Sequence, residues 1–336
     1  MSVANEIADR LPVVSLLLVV RNEKDAAGRA IASLTQQDYP TDKVEYIFVD
    51  GMSTDGTRSV LEEWERKLAE QGARIQLLDN PRRILAAGWN IAIQNATGEV
   101  VCRIDAHSEL DQKYILTGVN ELLKPDNRDV AAVGGVSVNV GIGIWGKAIA
   151  DLFSSAFGVG NAAHRIGVLQ PRTTDTAMYA LYWKRIFKEA GLFNENLKRN
   201  QDIEMHKRIR ALGYRFVTHP DMKAIYYVRG DPMSLAKKAF GDGYWVALGG
   251  FYPRHMVPGV FTAYLALVLL NPLAELRFVE LPMIAYAAMN LWFSAVDGSS
   301  ILSKILLPLL YTIFHISYGL GTWKALIDKA IKRILR

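Results

Sequence analysis

From residue 13 onward, short apolar runs alternate with longer amphipathic segments. The run VVSLLLVV at 13–20 contains no charged residue, which is typical of a strand buried on both faces of a parallel sheet. The segments EKDAAGRAIASLTQQ and RSVLEEWERKLAEQG place their apolar residues at helical spacing instead. Further strands are predicted at 44–50, 73–79 and 99–105, each preceded by a helix. This alternation predicts an α/β domain with a mainly parallel sheet flanked by helices.

The pattern is less regular after about residue 125. VAAVGGVSV predicts a strand, and TTDTAMYALYWKRIFKEAGLF predicts a strand followed by a short helix. QDIEMHKRIRALG predicts a helix that ends at a glycine cap, before the final strands in YRFVTHPDMKAIYYVR. The Gly-rich segment GIGIWGKAIADLFSSAFGVGN favours a flexible or membrane-facing helix over a linker.

An almost continuous apolar block covers residues 256–323. It holds up to three segments, 257–275, 278–296 and 301–323, each close to the ~20 residues that cross a bilayer. A pair of buried core helices is the alternative. Three spans would place the basic tail, 324–336, outside a cytoplasmic head, against the positive-inside tendency. Two spans and a re-entrant or surface helix would keep that tail inside.

The formal net charge of the 336-residue chain is +5. A basic tail beside an apolar block favours an anionic membrane surface as partner, and no arginine stripe with interleaved aromatics points to nucleic acid. The single cysteine, Cys102, excludes an intrachain disulfide and is predicted to be a buried thiol. The first apolar run ends at Arg21 without a small-residue cleavage site, so we predict no signal peptide and a cytoplasmic soluble part.

Polar side chains follow each of the first four predicted strands, where ligands of open α/β sheets bind. They are Arg21, Asn22 and Glu23, then Asp50, Ser53 and Asp55, then Arg82 and Arg83, and finally Asp105 and His107. Taken alone, DGMSTDGT is equally typical of an Asx turn and a helix N-cap. Together, the carboxylates, arginines and imidazole suit a nucleotide and a divalent cation, with the arginines near the phosphates.

The motifs LLLVVRNE, YIFVDGMSTDGT, NPRRILAAGWNIAIQNATGEVVCRIDAHS and NQDIEMHKRIR occur in that order. They resemble family 2 of the inverting, nucleotide-sugar-dependent glycosyltransferases with the GT-A fold. The resemblance is greatest to the membrane-attached, succinoglycan-type glucosyltransferases of bacterial exopolysaccharide synthesis. It covers about residues 13–230, and PLLYTIFHISYGLG at 308–321 resembles that branch's C-terminal membrane segment.

The resemblance implies a role for individual residues. Glu23 matches the nucleotide-contacting loop, Asp50 matches the carboxylate facing the uracil end, and Arg82 or Arg83 lies where a basic side chain approaches the diphosphate. Arg229 would reach a diphosphate or an acceptor phosphate, or meet lipid headgroups. The residues expected to bind the nucleotide sugar are Arg21, Glu23, Asp50, Ser53, Asp55, Arg82, Arg83, Asp105 and Arg229.

Asp105 and His107 match the first and last positions of the family's Asp-x-Asp metal motif, with His as a departure from the commonest form. The implied cofactor is Mg²⁺ or Mn²⁺, which stabilises the leaving diphosphate as a Lewis acid. Mg²⁺ needs only one or two protein carboxylates beside phosphates and waters, whereas an imidazole ligand shifts the preference towards Mn²⁺. His107 would ligate directly, act through water or bind a phosphate.

Asp202 matches the general base of the family's Glu-Asp or Gln-Asp motif, which takes the proton of the acceptor hydroxyl. The alternative is a helix N-cap followed by Glu204 and His206 as solvated helix residues. Asp175, Thr176 and Gln201 are candidates for the acceptor pocket.

The implied organisation is a GT-A catalytic domain over 1–230, a membrane-proximal segment at 231–255, membrane helices at 256–323 and a basic tail at 324–336. The nucleotide-binding half would cover about 13–110 and the acceptor half about 111–230.

The expected function is metal-dependent, inverting transfer of a hexose, foremost glucose, from a UDP-sugar to a polyprenyl-diphosphate-linked saccharide at the inner face of the cell membrane. Membrane lipid is a further expected partner, and nucleic acid is not. A nucleotidyltransferase would carry a Gly-rich loop after the first strand, which VVRNEKDAAGRA lacks. The other alternative is a catalytically inactive, nucleotide-binding membrane scaffold.

Overall fold

A computed structural model describes residues 11–228, 230–250, 252–270 and 280–335. These residues divide into two compact units. The first combines the chain up to Val138 with Gly167–Tyr226, and the second combines Asn139–Ile166 with the chain from Tyr227.

The first unit is built on a nine-stranded sheet with the order β3-β2-β1-β4-β8-β6-β9-β5, and β7 pairs with β9. Two of its strands end just past the unit boundary. The strands are β1 (Val14–Val20), β2 (Val44–Asp50), β3 (Arg74–Asp79), β4 (Val100–Asp105), β5 (Ser108–Leu110), β6 (Val130–Val140), β7 (Arg172–Thr174), β8 (Met178–Trp183) and β9 (Arg215–Tyr227).

Strands β1 to β4 are parallel, as the alternation of strands and helices predicts. All seven residues of β1 and of β2 are buried, because helices cover both faces of this part of the sheet. In the register, Val20 lies opposite Asp50 of β2, and Val19 lies opposite Asp105 of β4. The carboxyl end of β1 is therefore flanked by two aspartates.

The rest of the sheet contains antiparallel pairs. β4 pairs antiparallel with β8, β8 with β6, and β9 with both β5 and β7. The α/β class is confirmed, and the sheet is mixed, because these antiparallel pairs continue the parallel strands β1–β4. Apolar runs show that a strand is buried but carry no information on its direction, so this half was not predictable from the pattern.

The helices of the first unit cover the sheet. They are α1 (Lys24–Thr35), α2 (Thr57–Glu70), α3 (Leu85–Asn95), α4 (Tyr114–Leu122), α8 (Ile186–Ala190) and α9 (Gln201–Ala211), with 3₁₀ turns at Thr41–Lys43 and Pro125–Asn127. Gly88 of α3 packs directly on β1, where a Cβ would lie 2.3 Å from Cγ1 of Val19. Only glycine allows this close approach, which sets the position of α3 beside the strand ends.

The second unit is helical. Its helices are α5 (Gly143–Ser154), α6 (Ala156–Val159), α7 (Ala163–Ile166), α10 (Pro232–Gly249), α11 (Pro253–Leu270), α12 (Leu281–Asp297) and α13 (Ile301–Ile334). Glycines bring α13 against its neighbours, since a Cβ on Gly321 would lie 2.0 Å from the carbonyl oxygen of Phe240 and one on Gly319 would lie 2.3 Å from that of Pro258. Packing through small residues is typical of helices in membranes.

In the part of the apolar block that the structure describes, the helices are α12 and most of α11 and α13. Among the described residues, one of them, Ile301–Ile334, is both long and apolar enough to cross a membrane. The predicted segment 257–275 extends into residues 271–279, outside the described residues, as does the start of 278–296. The number of spans therefore stays a prediction.

Candidate functional site

The loops after β1 and β2 are tied together by hydrogen bonds. The backbone N–H of Asn22 donates to Oγ of Ser53 at 3.0 Å, and Oδ1 of Asn22 accepts from the N–H of Thr54 at 2.9 Å. Asn22 and Met52 both have left-handed backbone conformations, with φ of 55° and 59°. Residues other than glycine adopt that region rarely, and such conformations cluster at functional sites.

The two aspartates of the β2 loop have different surroundings. Asp50 is buried, at 4% exposure, and its carboxylate accepts the N–H of Ser53 at 3.2 Å. Asp55 accepts the N–H and hydroxyl of Thr57 at 3.0 and 2.5 Å, and the N–H of Lys24 at 3.2 Å. These hydrogen bonds, first those from Thr57, lower the pKa of Asp55. Asp55 therefore holds the turn, and its nucleotide contact stays a prediction.

Two further predicted residues lie in the same loops. Arg21 is exposed and lies against Gly51, where a Cβ would be 2.9 Å from Cβ of Arg21. Glu23 is half-buried, and its backbone N–H donates to Oγ1 of Thr57 at 2.8 Å. The structure therefore brings Arg21, Glu23 and Ser53 into one pair of linked loops at the carboxyl ends of β1 and β2.

The arginines after β3 are arranged differently from each other. Arg82 forms an ion pair with Glu195, which also accepts the side-chain amide of Asn90 at 2.8 Å. Arg83 is exposed and has a φ of 58°. The guanidinium of Arg82 is thus engaged by a carboxylate from a distant loop, whereas Arg83 forms no ion pair within the described residues.

Asp105 and His107 form the turn between β4 and β5. The hydroxyl of Ser108 donates to the backbone carbonyl of Asp105 at 2.6 Å, and the ring of His107 packs edge-to-face on Tyr226 with centroids 5.1 Å apart. Within the described residues, no hydrogen bond engages the carboxylate of Asp105 or the ring nitrogens of His107. Both groups are therefore able to bind a ligand without losing an internal hydrogen bond.

The described residues contain no cluster of three or more His, Cys, Asp or Glu side chains arranged to hold a metal ion. Asp105 and His107 supply one carboxylate and one imidazole. This donor set fits a cation that takes its remaining ligands from a diphosphate and water, as Mg²⁺ and Mn²⁺ do with nucleotides.

A contact from β4 reaches the predicted base. Nη2 of Arg103 lies 3.3 Å from Oδ2 of Asp202, the second residue of α9. Partial burial raises the pKa of Asp202, but the charge of Arg103 and the N–H of Ile203, which donates to Oδ1 at 2.9 Å, outweigh it and lower that pKa overall. Asp202 is thus held as a carboxylate, as a general base requires.

His206 lies one turn after Asp202 and is buried, at 1% exposure. Its Nδ1 is 2.7 Å from Oγ1 of Thr176, and its Nε2 is 2.6 Å from the hydroxyl of Tyr182. Burial lowers the pKa of His206 to about 3, so the ring is neutral. The alternative of a solvated His206 is therefore wrong, because α9 packs this face on β8.

The other acceptor candidates lie around α9. Gln201 is buried, and its Nε2 has no hydrogen-bond partner among the described residues. Asp175 is exposed and lies 3.4 Å from Arg210, while Thr176 is engaged by His206. Glu204 accepts Nε of Arg208 at 2.8 Å and supports the helix. Arg229 lies outside the described residues.

Two residues at this site were not predicted, Arg103 and Glu195. Apart from Arg103, β4 contains only apolar residues and the aspartate at its end. A charged residue inside a buried strand is unusual, and this was the sequence signal for a role of Arg103. Glu195 has no comparable signal, since it lies 113 positions from its partner Arg82.

Comparison with known proteins gives a consistent result. The sequence profile of the family described as Glycosyl transferase family 2 matches residues 15–191, more than half of the chain. Succinoglycan biosynthesis protein ExoA of Rhizobium meliloti (strain 1021) is 28% identical over 337 residues, covering 96% of this chain and 98% of that protein.

A second relative comes from Methanococcus voltae. It is named dolichyl N-acetyl-alpha-D-glucosaminyl phosphate 3-beta-D-2,3-diacetamido-2,3-dideoxy-beta-D-glucuronosyltransferase, and it is 23% identical over 94% of this chain and 97% of its own. Among solved structures, mannosyltransferase PcManGT from Pyrobaculum calidifontis, in complex with GDP-Man and Mn²⁺, has a TM-score of 0.61 at 23% identity, covering 96% of this chain and 89% of that one. The likeness to that structure shows a shared fold.

Proposed function

The chain belongs to glycosyltransferase family 2, and from that premise we propose that it transfers a hexose from a UDP-sugar to a polyprenyl-diphosphate-linked saccharide. Glucose is the first candidate for the hexose. The family resemblance recognised in the motifs is thereby confirmed, while the donor, the acceptor and the metal are the content of the proposal.

The observation that carries the proposal is the contact between Arg103 and Asp202. Arg103 precedes Asp105 by two positions on β4, so this ion pair brings the predicted base beside the strand that carries the predicted metal ligand. Asp50 and Asp105 flank the end of β1 in the same sheet. A donor bound across these strand ends would therefore lie within reach of the base.

The proposed reaction is a single displacement. The oxygen of the acceptor hydroxyl forms a bond to C1 of the hexose, and the bond from C1 to the diphosphate oxygen breaks, so UDP leaves and the anomeric configuration inverts. Asp202 accepts the proton of the acceptor hydroxyl. Its carboxylate suits that task because the side chain is 33% exposed and ionised.

Asp105 and His107 are the residues proposed to hold Mg²⁺ or Mn²⁺ with the donor. A cation bound there supplies Lewis-acid stabilisation of the charge that develops on the departing diphosphate. The loops after β1 and β2 are joined by the hydrogen bonds of Asn22 with Ser53 and Thr54. We propose that they form the part of the site that binds the nucleotide.

A lipid-linked acceptor is proposed on two grounds. The Methanococcus voltae relative is named for a dolichyl phosphate-linked acceptor. In this chain, Ile301–Ile334 is long and apolar enough to cross a membrane, and basic residues including Lys332 and Arg333 lie in its last turn. We place the catalytic domain on the cytoplasmic side, where nucleotide sugars are made.

The test uses membranes that contain the full chain and endogenous lipid-linked saccharides, incubated with radiolabelled UDP-glucose, UDP-galactose, UDP-N-acetylglucosamine or GDP-mannose. We expect label from UDP-glucose to enter the lipid fraction, and EDTA to abolish this until Mn²⁺ or Mg²⁺ is restored. Label from GDP-mannose alone would reject the proposed donor, and transfer that ignores EDTA would reject the metal role of Asp105.

The variant Asp202→Asn separates an enzyme from a nucleotide-binding scaffold. We expect it to lower turnover by about 10² to 10⁴-fold while binding of UDP persists, since only the proton acceptor is removed. Asp221→Asn is the matched control, because its carboxylate is 78% exposed on β9. If Asp202→Asn supports glycan synthesis as well as that control does, the chain acts as a scaffold.

A further inference from the structure

Arg103 has an unusual position for an arginine. Its neighbours Cys102 and Ile104 on β4 are fully buried, and its own side chain is only 12% exposed. Removing a guanidinium from water costs several kcal/mol unless a counter-charge compensates, so a buried arginine needs a partner. Among the described residues the ion-pair partner is Asp202, at 3.3 Å.

Aromatic rings hold the guanidinium in place. Its central carbon lies 5.4 Å from the ring centroid of Trp89 and 5.7 Å from that of Phe193. Trp89 is fully buried, and the backbone of Phe193 is fixed by the side chain of Asn90, which accepts its N–H at 2.9 Å and donates to its carbonyl at 3.0 Å. Cation–π contacts of this kind fix the orientation of the guanidinium group.

The contact uses only part of the carboxylate of Asp202. Oδ2 accepts from Arg103 and Oδ1 accepts from the N–H of Ile203. A carboxylate offers about four lone-pair positions, so each oxygen keeps one for an acceptor hydroxyl. The guanidinium of Arg103 thus sets the orientation of the Asp202 carboxylate and leaves that carboxylate able to accept a proton.

Arg103 is also incompletely paired. Its Nε is buried without a hydrogen-bond partner in the described part of the chain, as is Nε2 of the adjacent Gln201. Buried donors are nearly always satisfied in folded proteins, and these two belong to the ion-pair partner of Asp202 and to the residue that precedes it in the chain. An arginine built only for stability would be expected to use its full fork.

We propose that Arg103, held between its contacts with the rings of Trp89 and Phe193, is a positioning residue that orients the carboxylate of Asp202 for the transfer reaction. Its positive charge beside that carboxylate also favours the ionised form. This inference rests on the proposed function, because it assigns Asp202 the role of base. Among the residues that the structure describes, the charged and titratable groups that face Asp202 are Arg103 from β4, Tyr182 from β8 and His206 from its own helix.

The first test is kinetic, with Arg103→Met and Arg103→Lys in the full chain in detergent. We expect Arg103→Met to lower kcat about 100-fold and to change the KM for UDP-glucose less than about threefold, because the donor contacts stay intact. Arg103→Lys keeps the charge but loses the planar fork, so we expect about a tenfold loss. In the background of Asp202→Asn, Arg103→Met should have no further effect on kcat.

The second test does not depend on activity. Dicyclohexylcarbodiimide modifies protonated carboxyl groups, and peptide mass spectrometry measures its addition to Asp202. At pH 7 we expect Arg103→Met to increase the rate of that modification about tenfold or more, because burial would then be uncompensated. Arg103→Lys should leave the rate of Asp202 modification at the wild-type value. It replaces Arg103→Met as the test variant if Arg103→Met fails to fold.

The control is Arg215→Met, which breaks the ion pair with Asp129 at 2.8 Å, an arginine–carboxylate pair that involves neither Arg103 nor Asp202. It should change neither kcat nor the modification of Asp202. The proposal is wrong if Arg103→Met has the kcat of the wild type, or if Arg103→Met lowers kcat by the same factor in the Asp202→Asn background as in the wild-type background. It is also wrong if Asp202 of the Arg103→Met protein is modified at the wild-type rate. If the wild type transfers no sugar from any donor, the proposed function fails, and the modification experiment still decides the role of Arg103.

Discussion

Acidification should destabilise the first unit through one buried imidazole. His206 lies between Thr176 and Tyr182, and burial lowers its pKa from 6.5 to about 3. The unfolded chain would take up a proton near pH 6.5, whereas the folded chain takes it up only near pH 3. Stability from the neutral ring is therefore fully present above pH 6.5 and is lost progressively as the pH falls towards 3.

The magnitude follows from the two pKa values. In the unfolded state this site goes from about one quarter protonated at pH 7 to almost fully protonated at pH 5, whereas the folded state gains almost no proton. Linkage then removes about 2 kcal/mol from the free energy of unfolding over that interval. That is a large share of the ~5–15 kcal/mol typical of a folded domain.

The assay is urea unfolding of the full chain in detergent at pH 7 and pH 5, followed by tryptophan fluorescence, for the wild type and His206→Gln. Glutamine donates and accepts hydrogen bonds but does not titrate. The other titratable groups are common to both proteins, so the wild type should lose about 2 kcal/mol more than the variant. Equal losses for the two proteins would refute the reasoning and show that His206 is already protonated, or solvated, in the fold.

Two further substitutions and one labelling experiment probe the packing. Gly88→Ala should lower the free energy of unfolding by roughly 1–3 kcal/mol, since its Cβ would lie 2.3 Å from Val19. Gly28→Ala, whose Cβ would have its nearest contacts at 3.9 Å, should instead raise the free energy of unfolding by about 0.5–1 kcal/mol, because alanine has the higher helix propensity. Thermal unfolding measures both, and a Gly88→Ala protein as stable as Gly28→Ala would contradict the contact with β1. Cys102 is fully buried, which raises the pKa of its thiol, so iodoacetamide at pH 8 should label it only as fast as the chain opens. Labelling at the rate of a free thiol would place Cys102 at the surface.

The first half of the sheet could be predicted from the sequence because its signals are local. The runs at β1 and β2 are uniformly apolar, and the polar residues that follow them lie at the ends of parallel strands by geometry alone. Asp50 and Asp105 were accordingly expected at one edge of the sheet, and the register shows that they lie on either side of β1.

What could not be predicted depends on contacts between distant segments. The pairing of Arg82 with Glu195 joins positions 113 apart, and that of Arg103 with Asp202 joins positions 99 apart. Hydrophobic periodicity describes which face of an element is buried, but it carries no information on which polar groups meet there. His206 shows the same limit, because a histidine on a charged helix gave no sign that it would face the sheet.

The pairing of Arg103 with Asp202 constrains how such chains can be recombined. Arg103 belongs to the segment that carries the nucleotide loops, and Asp202 to the segment that follows β8. A crossover between them in a chimera of two relatives would join an arginine and a carboxylate that were selected in different chains. Shuffled libraries should therefore yield active transferases mainly when both positions come from one parent, or when both parents carry the same pair.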